Sequence, residues 1–230
     1  MTVHDVAQML PEVSSLRDLC RSMAMAEAIV NPGGERFYSF NPSWSQTEEL
    51  ASMRNGSGDE IDIVFSPAGA YIRGFDHESP FSPYHHDDVP EPWPGVVDSV
   101  PAVFQQYIHE PAFTDEDGTP AVTVCLWREA EAERWQAGEI DFPDGHPDPD
   151  GSAWLFDLLV NPTPEAFQAF VEDYYETAID IEAVRRVYNL LPLDRSLITS
   201  LNPTASVKDV VHEGTAIGYP IAPDLSPETS

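Results

Sequence analysis

The stretch Ile61-Asp62-Ile63-Val64-Phe65-Ser66-Pro67-Ala68-Gly69-Ala70-Tyr71-Ile72-Arg73-Gly74-Phe75 decides the fold. Ile61, Ile63 and Phe65 alternate with Asp62 and Val64, the two-residue period of a strand. Ser66-Pro67-Ala68-Gly69 turns the chain, and Ala70 to Phe75 returns as the partner strand.

Further strands follow from the same reasoning. Phe37 to Phe40 reads as a short strand. Ala121 to Arg128 reads as a strong one, with Val122, Val124 and Leu126 on one face and Thr123, Cys125 and Trp127 on the other. Residues 134–140 are expected to return as its hairpin partner. Ala153 to Val160 is a near-continuous apolar run bounded by turn residues, which predicts a buried central strand.

Helices lie at the two ends. Residues 14–30 carry Leu16, Leu19, Cys20 and Met23 at helical spacing, and Asn31-Pro32-Gly33-Gly34 stops them. Ser45-Gln46-Thr47-Glu48 is a capping-box sequence and predicts a short helix to about Met53, ending at Asn55-Gly56. A short helix is expected around Val103–Ile108. Thr163 with Pro164 opens a helix, Asp180 opens another that Pro192 ends, and 194–201 and 206–212 are shorter candidates. Strands early and helices late predict an α+β fold: an antiparallel sheet built from hairpins, with helices at the N-terminus and in the C-terminal third. Residues 1–220 are expected to form a single domain, with 221–230 a frayed tail.

Forty acidic residues face eleven basic ones, a formal charge of -29, and Lys208 is the one lysine. That field has the wrong sign for direct binding to nucleic acid or to an anionic membrane surface. The chain has 230 residues, with five Trp, eight Tyr and eleven Phe, enough for a packed core. Cys20 and Cys125 lie far apart and read as buried apolar residues rather than as a disulfide or a zinc ligand set. A reducing cytoplasm fits them, and the N-terminus lacks the features of a signal peptide.

Between Arg73 and Arg128 there is no Lys or Arg, while ten acids occur: Asp76, Glu78, Asp87, Asp88, Glu91, Asp98, Glu110, Asp115, Glu116 and Asp117. Much of this span, residues 79–101, is rich in proline, and Phe81, Tyr84 and Trp93 predict that it packs on the domain. Such a field accelerates encounter with a basic protein partner. Asp87, Asp88, Glu91, Asp115, Glu116 and Asp117 are therefore the candidate partner surface. Solubility, or adaptation to salt, is the plainer account of the same acidity.

Three other constellations bear on chemistry. Asp76, His77, His85 and His86 offer imidazole and carboxylate together, the donors of a divalent transition metal site. The plainer reading is a solvated acidic loop, and no cofactor is otherwise expected. Asp144 to Gly151 echoes a calcium loop, but His146 falls where a hard cation wants oxygen, so a tight turn is expected. Asn55-Gly56-Ser57-Gly58-Asp59-Glu60 is glycine-rich, but no Lys-Ser/Thr follows and its acids repel phosphate, so it reads as a helix C-cap entering a strand. No Gly-x-Ser-x-Gly elbow occurs. The tryptophans, Trp44, Trp93, Trp127, Trp135 and Trp154, read as core or loop anchors.

Ser52-Met53-Arg54-Asn55-Gly56-Ser57-Gly58-Asp59-Glu60 and Gly69-Ala70-Tyr71-Ile72-Arg73-Gly74-Phe75-Asp76-His77-Glu78-Ser79 together resemble a block in a group of uncharacterised bacterial proteins. The resemblance implies no activity and carries over no functional residue. In texture, the acidic α+β chain is also similar to bacterial toxin-immunity proteins. The expected function is accordingly an acidic binding protein of immunity type, with a metal-dependent enzyme and an acid-rich protein without a partner surface as alternatives.

Overall fold

The computed structural model describes residues 1–85, 89–143 and 145–226. The chain opens with α1 (Val3–Met9) and α2 (Val13–Val30). Val3, Val6, Ala7 and Leu10 give helix α1 a short apolar stripe that packs into the core. The helix is set by a capping box, in which the Thr2 amide donates to Asp5 Oδ2 at 2.8 Å.

Then comes one antiparallel sheet in plain chain order: β1 (Tyr38–Asn41), β2 (Glu49–Arg54), β3 (Glu60–Ser66), β4 (Gly69–Phe75), β5 (Val124–Glu129) and β6 (Gln136–Ala137). Its register sorts the residues into rows that alternate between faces. Ala51, Ile63, Ile72, Leu126 and Ala137 stand opposite one another in one row. Their neighbours Leu50, Val64, Tyr71, Trp127 and Gln136 form the next row, on the other face.

The two faces bury different partners. The Ile63–Ile72–Leu126 face packs on α2 and on the C-terminal helices, in a core that includes Leu16, Met23, Phe167, Val184 and Leu197. Those helices are α6 (Pro164–Tyr174), α7 (Ile181–Tyr188), α8 (Arg195–Leu201) and α9 (Val207–Ile217). Side chains of Thr163, Asp180, Asp194 and Ser206 cap them by accepting from the first-turn amides. The other face is covered by the connection from β4 to β5, which includes α3 (Gln105–Ile108). Phe81, Val96, Val100, Phe104, Tyr107, Phe113 and Val122 press inward from it onto Val64, Tyr71, Cys125 and Trp127. The described residues of the proline-rich segment thus form part of a plate over a second core.

A polar row runs beside that second core, where Ser52 stands opposite Asp62 and Asp62 opposite Arg73. Arg73 is 2% exposed and Asp62 is fully buried. Arg73 Nε donates to Asp62 Oδ2 at 2.8 Å, its other nitrogens reach Glu60 and the Ala121 carbonyl, and its guanidinium lies 5.2 Å from the Phe113 ring centre. Arg54 Nη2 and the Ser52 hydroxyl complete the Asp62 carboxylate, at 2.9 and 2.7 Å. A buried ion pair is tolerated because nearly every lone pair and N–H in it is engaged.

Four expectations are corrected. The run from Ser45 to about Met53 is not a helix: Glu49–Arg54 is β2, which pairs with β1 and β3 on both sides. Ser45 still caps locally, accepting from the Thr47 amide at 3.3 Å, but it shapes a turn. With β2 a strand, Asn55–Glu60 is a hairpin turn rather than a helix C-cap, and Asn55 Oδ1 accepts from the Ser57 and Asp59 amides. Ala153–Val160 is not a strand but α4 (Ser152–Leu155) and α5 (Asp157–Val160). Asp150 and Asp148 take the amides of Ser152, Ala153 and Trp154, which starts a helix, and the exposed Trp154 and Asp157 show its three-residue spacing. Residues 221–226, expected to fray, are held: Ile221 bridges Leu193, and Ala222 is buried. Both cysteines are buried and free. No helix among the described residues is long and apolar enough to cross a membrane.

Candidate functional site

One end of the sheet gathers polar side chains from three places. Asp59 immediately precedes β3, Asp76 and His77 immediately follow β4, and Trp154 lies on α4. Extending the pairing of Glu60 with Phe75 by one step sets Asp59 opposite Asp76; the next step sets Gly58 opposite His77. Ligand atoms of Asp59, Asp76 and His77 lie within 4.8 Å of one another.

The hydrogen bonds say what the cluster is built to do. Asp59 Oδ1 meets His77 Nδ1 at 2.7 Å and accepts from the His77 amide at 3.1 Å. Its Oδ2 accepts from Asn55 Nδ2 at 2.6 Å and from the Trp154 indole at 3.2 Å. Four donors fill a carboxylate, so Asp59 has no lone pair left for a metal. Burial raises the Asp59 pKa, but the bonds from His77 and Trp154 outweigh it and leave it below the ordinary value. The Asp59 hydrogen bond holds His77 above its ordinary value, against a smaller opposing effect of desolvation. This is a charge-assisted staple between the hairpin turn and the end of β4.

Asp76 is a positioning group of the same kind. Its Oδ1 accepts from the Glu78 amide at 2.9 Å, and its own amide donates to the Thr123 hydroxyl. Burial raises its pKa, and the Asp59 and Asp148 charges add to that. The backbone at Gly151 passes so near that a Cβ there would lie 2.5 Å from Asp76 Oδ2, in a left-handed conformation that also favours glycine. Thr123 in turn donates to the Asp150 carbonyl, and Asp150 accepts from the Val3 amide. The Asp144–Gly151 segment therefore turns its acids on backbone amides; Asp144 itself lies outside the described residues.

Of the metal candidates, the structure brings together Asp76 and His77. His85 ends a 3-10 turn, Pro83–His85, is exposed, and does not join them. His86 lies outside the described residues. Sequence reasoning passed over Asp59 as part of a turn, although the hairpin register, carried one residue further, points to it. The segments 52–60 and 69–79 meet here, supplying Asn55, Asp59, Asp76 and His77.

The second candidate is the outward side of the plate. Because its apolar side chains point inward, its acids point out: Glu78, Glu91, Asp98, Glu116 and Asp117 are exposed, and Glu110 and Asp115 half-buried. Asp87 and Asp88, named for the same surface, lie outside the described residues. Asp115 is held by its own turn, accepting from the Asp117 and Thr119 amides, and the Thr119 bond leads the causes that lower its pKa. No ion pair among the described residues joins these acids to an arginine. Arg73 and Arg54 are engaged by Glu60 and Asp62, Arg128 by Glu12, Arg17 and Arg21 by Glu49, Arg36 by Glu213, Arg185 by Glu165, and Arg186 by Asp194.

The chain matches no protein-family model, no curated protein and no solved structure.

Proposed function

We propose that this chain is an acidic protein-binding domain of the immunity type, which covers and neutralises a basic protein partner. The observation that carries the reading is the plate's charge. Its inner side is anchored by aromatic residues, its outer side is acidic from Glu78 to Asp117, and the nearby Arg73 is buried beneath it. Uncompensated charge on a rigid support accelerates encounter with an oppositely charged protein by about 10–10³-fold and discourages anionic partners. Nucleic acid and anionic membranes fall in the discouraged class. We assign the cytoplasm as its compartment, because two free, buried cysteines suit a reducing medium.

Zero-length carbodiimide cross-linking in a low-salt extract of the native host tests this. The reagent joins carboxylates to lysine amines. The expected result is a stoichiometric basic protein whose lysines couple to Glu91, Glu116 and Asp117. Coupling spread evenly over exposed acids on the helical side, such as Asp173 and Glu176, would contradict it, as would the lack of any stoichiometric basic protein.

A further inference from the structure

At its β6 edge the sheet meets the plate in a close backbone crossing. A Cβ on Gly138 would lie 1.8 Å from the Gly95 carbonyl oxygen, and one on Gly95 would lie 2.1 Å from that of Glu139. Beside this crossing opens a groove of about 800 Å³ whose lining includes Trp93, Trp127, Gln136, Asp98, Glu139 and Asp141. That volume suits a side chain with its flanking backbone.

The groove's chemistry is narrow. Trp93 is held flat against Phe81, with ring centres 4.5 Å apart and planes 4° from parallel. Asp98, Glu139 and Asp141 are exposed and make no ion pair with Lys or Arg among the described residues. Asp98 Oδ2 accepts from the Gly95 amide at 2.8 Å, which fixes that carboxylate at the rim. Trp127 is 3% exposed, yet its indole N–H finds no acceptor among the described residues. A buried donor left unmade costs about 1–3 kcal/mol, and native proteins keep few of them.

Aromatic rings and carboxylates around one opening select a cation, and a planar guanidinium serves both at once by stacking on indole and pairing with carboxylate. The unmet indole donor calls for an acceptor next to that cation, which a peptide carbonyl supplies. We infer that this groove is the seat for an arginine of the basic partner, with the adjoining backbone carbonyl accepting from Trp127. The inference deepens the acidic-binding reading and rests on it.

The test titrates the full chain with acetyl-Gly-Arg-Gly-amide, and with its citrulline counterpart, while following the tryptophan indole N–H signals by NMR. The arginine peptide is expected to shift the Trp93 and Trp127 signals saturably, and the citrulline peptide to leave them in place. The exposed-site triple Asp98→Asn/Glu139→Gln/Asp141→Asn is expected to weaken binding at least about tenfold, and the charge-matched Glu91→Gln/Glu116→Gln/Asp117→Asn less than about twofold. Trp127→Phe, which keeps an aromatic ring and removes the donor, is expected to weaken binding as well. Unmoved indole signals overturn the groove, as does equal response to both peptides, equal weakening by both triples, or full affinity in Trp127→Phe. Equal weakening with binding retained leaves the acidic plate standing as a diffuse surface. Failure of the plate itself is read separately, from the positions of cross-links to the native partner.

Discussion

Glu27 sits fully buried on α2, accepting from the Tyr38 amide at 2.7 Å and from the Tyr175 hydroxyl at 3.1 Å. Burial pushes its pKa up to about 7, against those bonds and the Arg36 charge. A carboxyl whose folded pKa is raised destabilises the fold as it ionises, so its effect grows from the unfolded carboxylate range up to about pH 7 and is constant above. Glu27→Gln is expected to gain up to about 3 kcal/mol at pH 8 and almost nothing near pH 4.5, measured by urea unfolding at both. The His77–Asp59 staple has another sign. His77, raised, contributes below its unfolded pKa and loses that contribution as pH rises through its folded value; Asp59, lowered, contributes above the unfolded carboxylate range and loses it as pH falls. A double-mutant cycle with Asp59→Asn and His77→Gln should show coupling near pH 5.5 that fades by about pH 9, and coupling that strengthens with pH would contradict the staple. Asp62→Ala takes from the buried Arg73 the carboxylate that Nε donates to and leaves Glu60 as its remaining carboxylate partner, so a loss of about 3 kcal/mol is expected in the same unfolding assay.

At the scale of elements, α2, β3, β4 and the capped C-terminal helices were legible because local signals and tertiary packing agree in them. Glu49–Arg54 was not, because its capping sequence competes with hydrogen bonding on both strand edges, and the sheet prevails. Ala153–Val160 was misread because a buried run looks alike in both periods; the deciding amides go to Asp148 and Asp150, whose role shows only in three dimensions. The same limit applies to the site. Asp76 and His77 stand next to each other in the chain, whereas Asp59 joins them through strand pairing. The plate was legible as a packed loop, but the core beneath it was not. Phe113 lies over Arg73 and stacks on Trp44, with ring centres 5.8 Å apart. Phe113→Ala is expected to cost about 3–5 kcal/mol and to speed hydrogen exchange across the plate and the polar row while α6 to α9 stay protected; uniform loss of protection would mean that the plate is no separate layer.

Over the whole molecule, cations and anions are arranged differently on the two sides. Most arginines are paired with carboxylates, while the outward acids of the plate carry a formal charge that no Lys or Arg within residues 74–127 offsets. Self-repulsion predicts that melting temperature rises with salt as charges are screened beyond about 10 Å, a gain that any acid-rich protein would show. Location separates a partner surface from mere acidity. The measurement is the affinity for the cross-linked partner of two triples with equal charge change: Glu91→Lys/Glu116→Lys/Asp117→Lys on the plate and Glu172→Lys/Asp173→Lys/Glu176→Lys at the end of α6. The plate triple is expected to lose about 100-fold or more and the helical triple less than about threefold, whereas equal losses from both would contradict the plate as the binding surface.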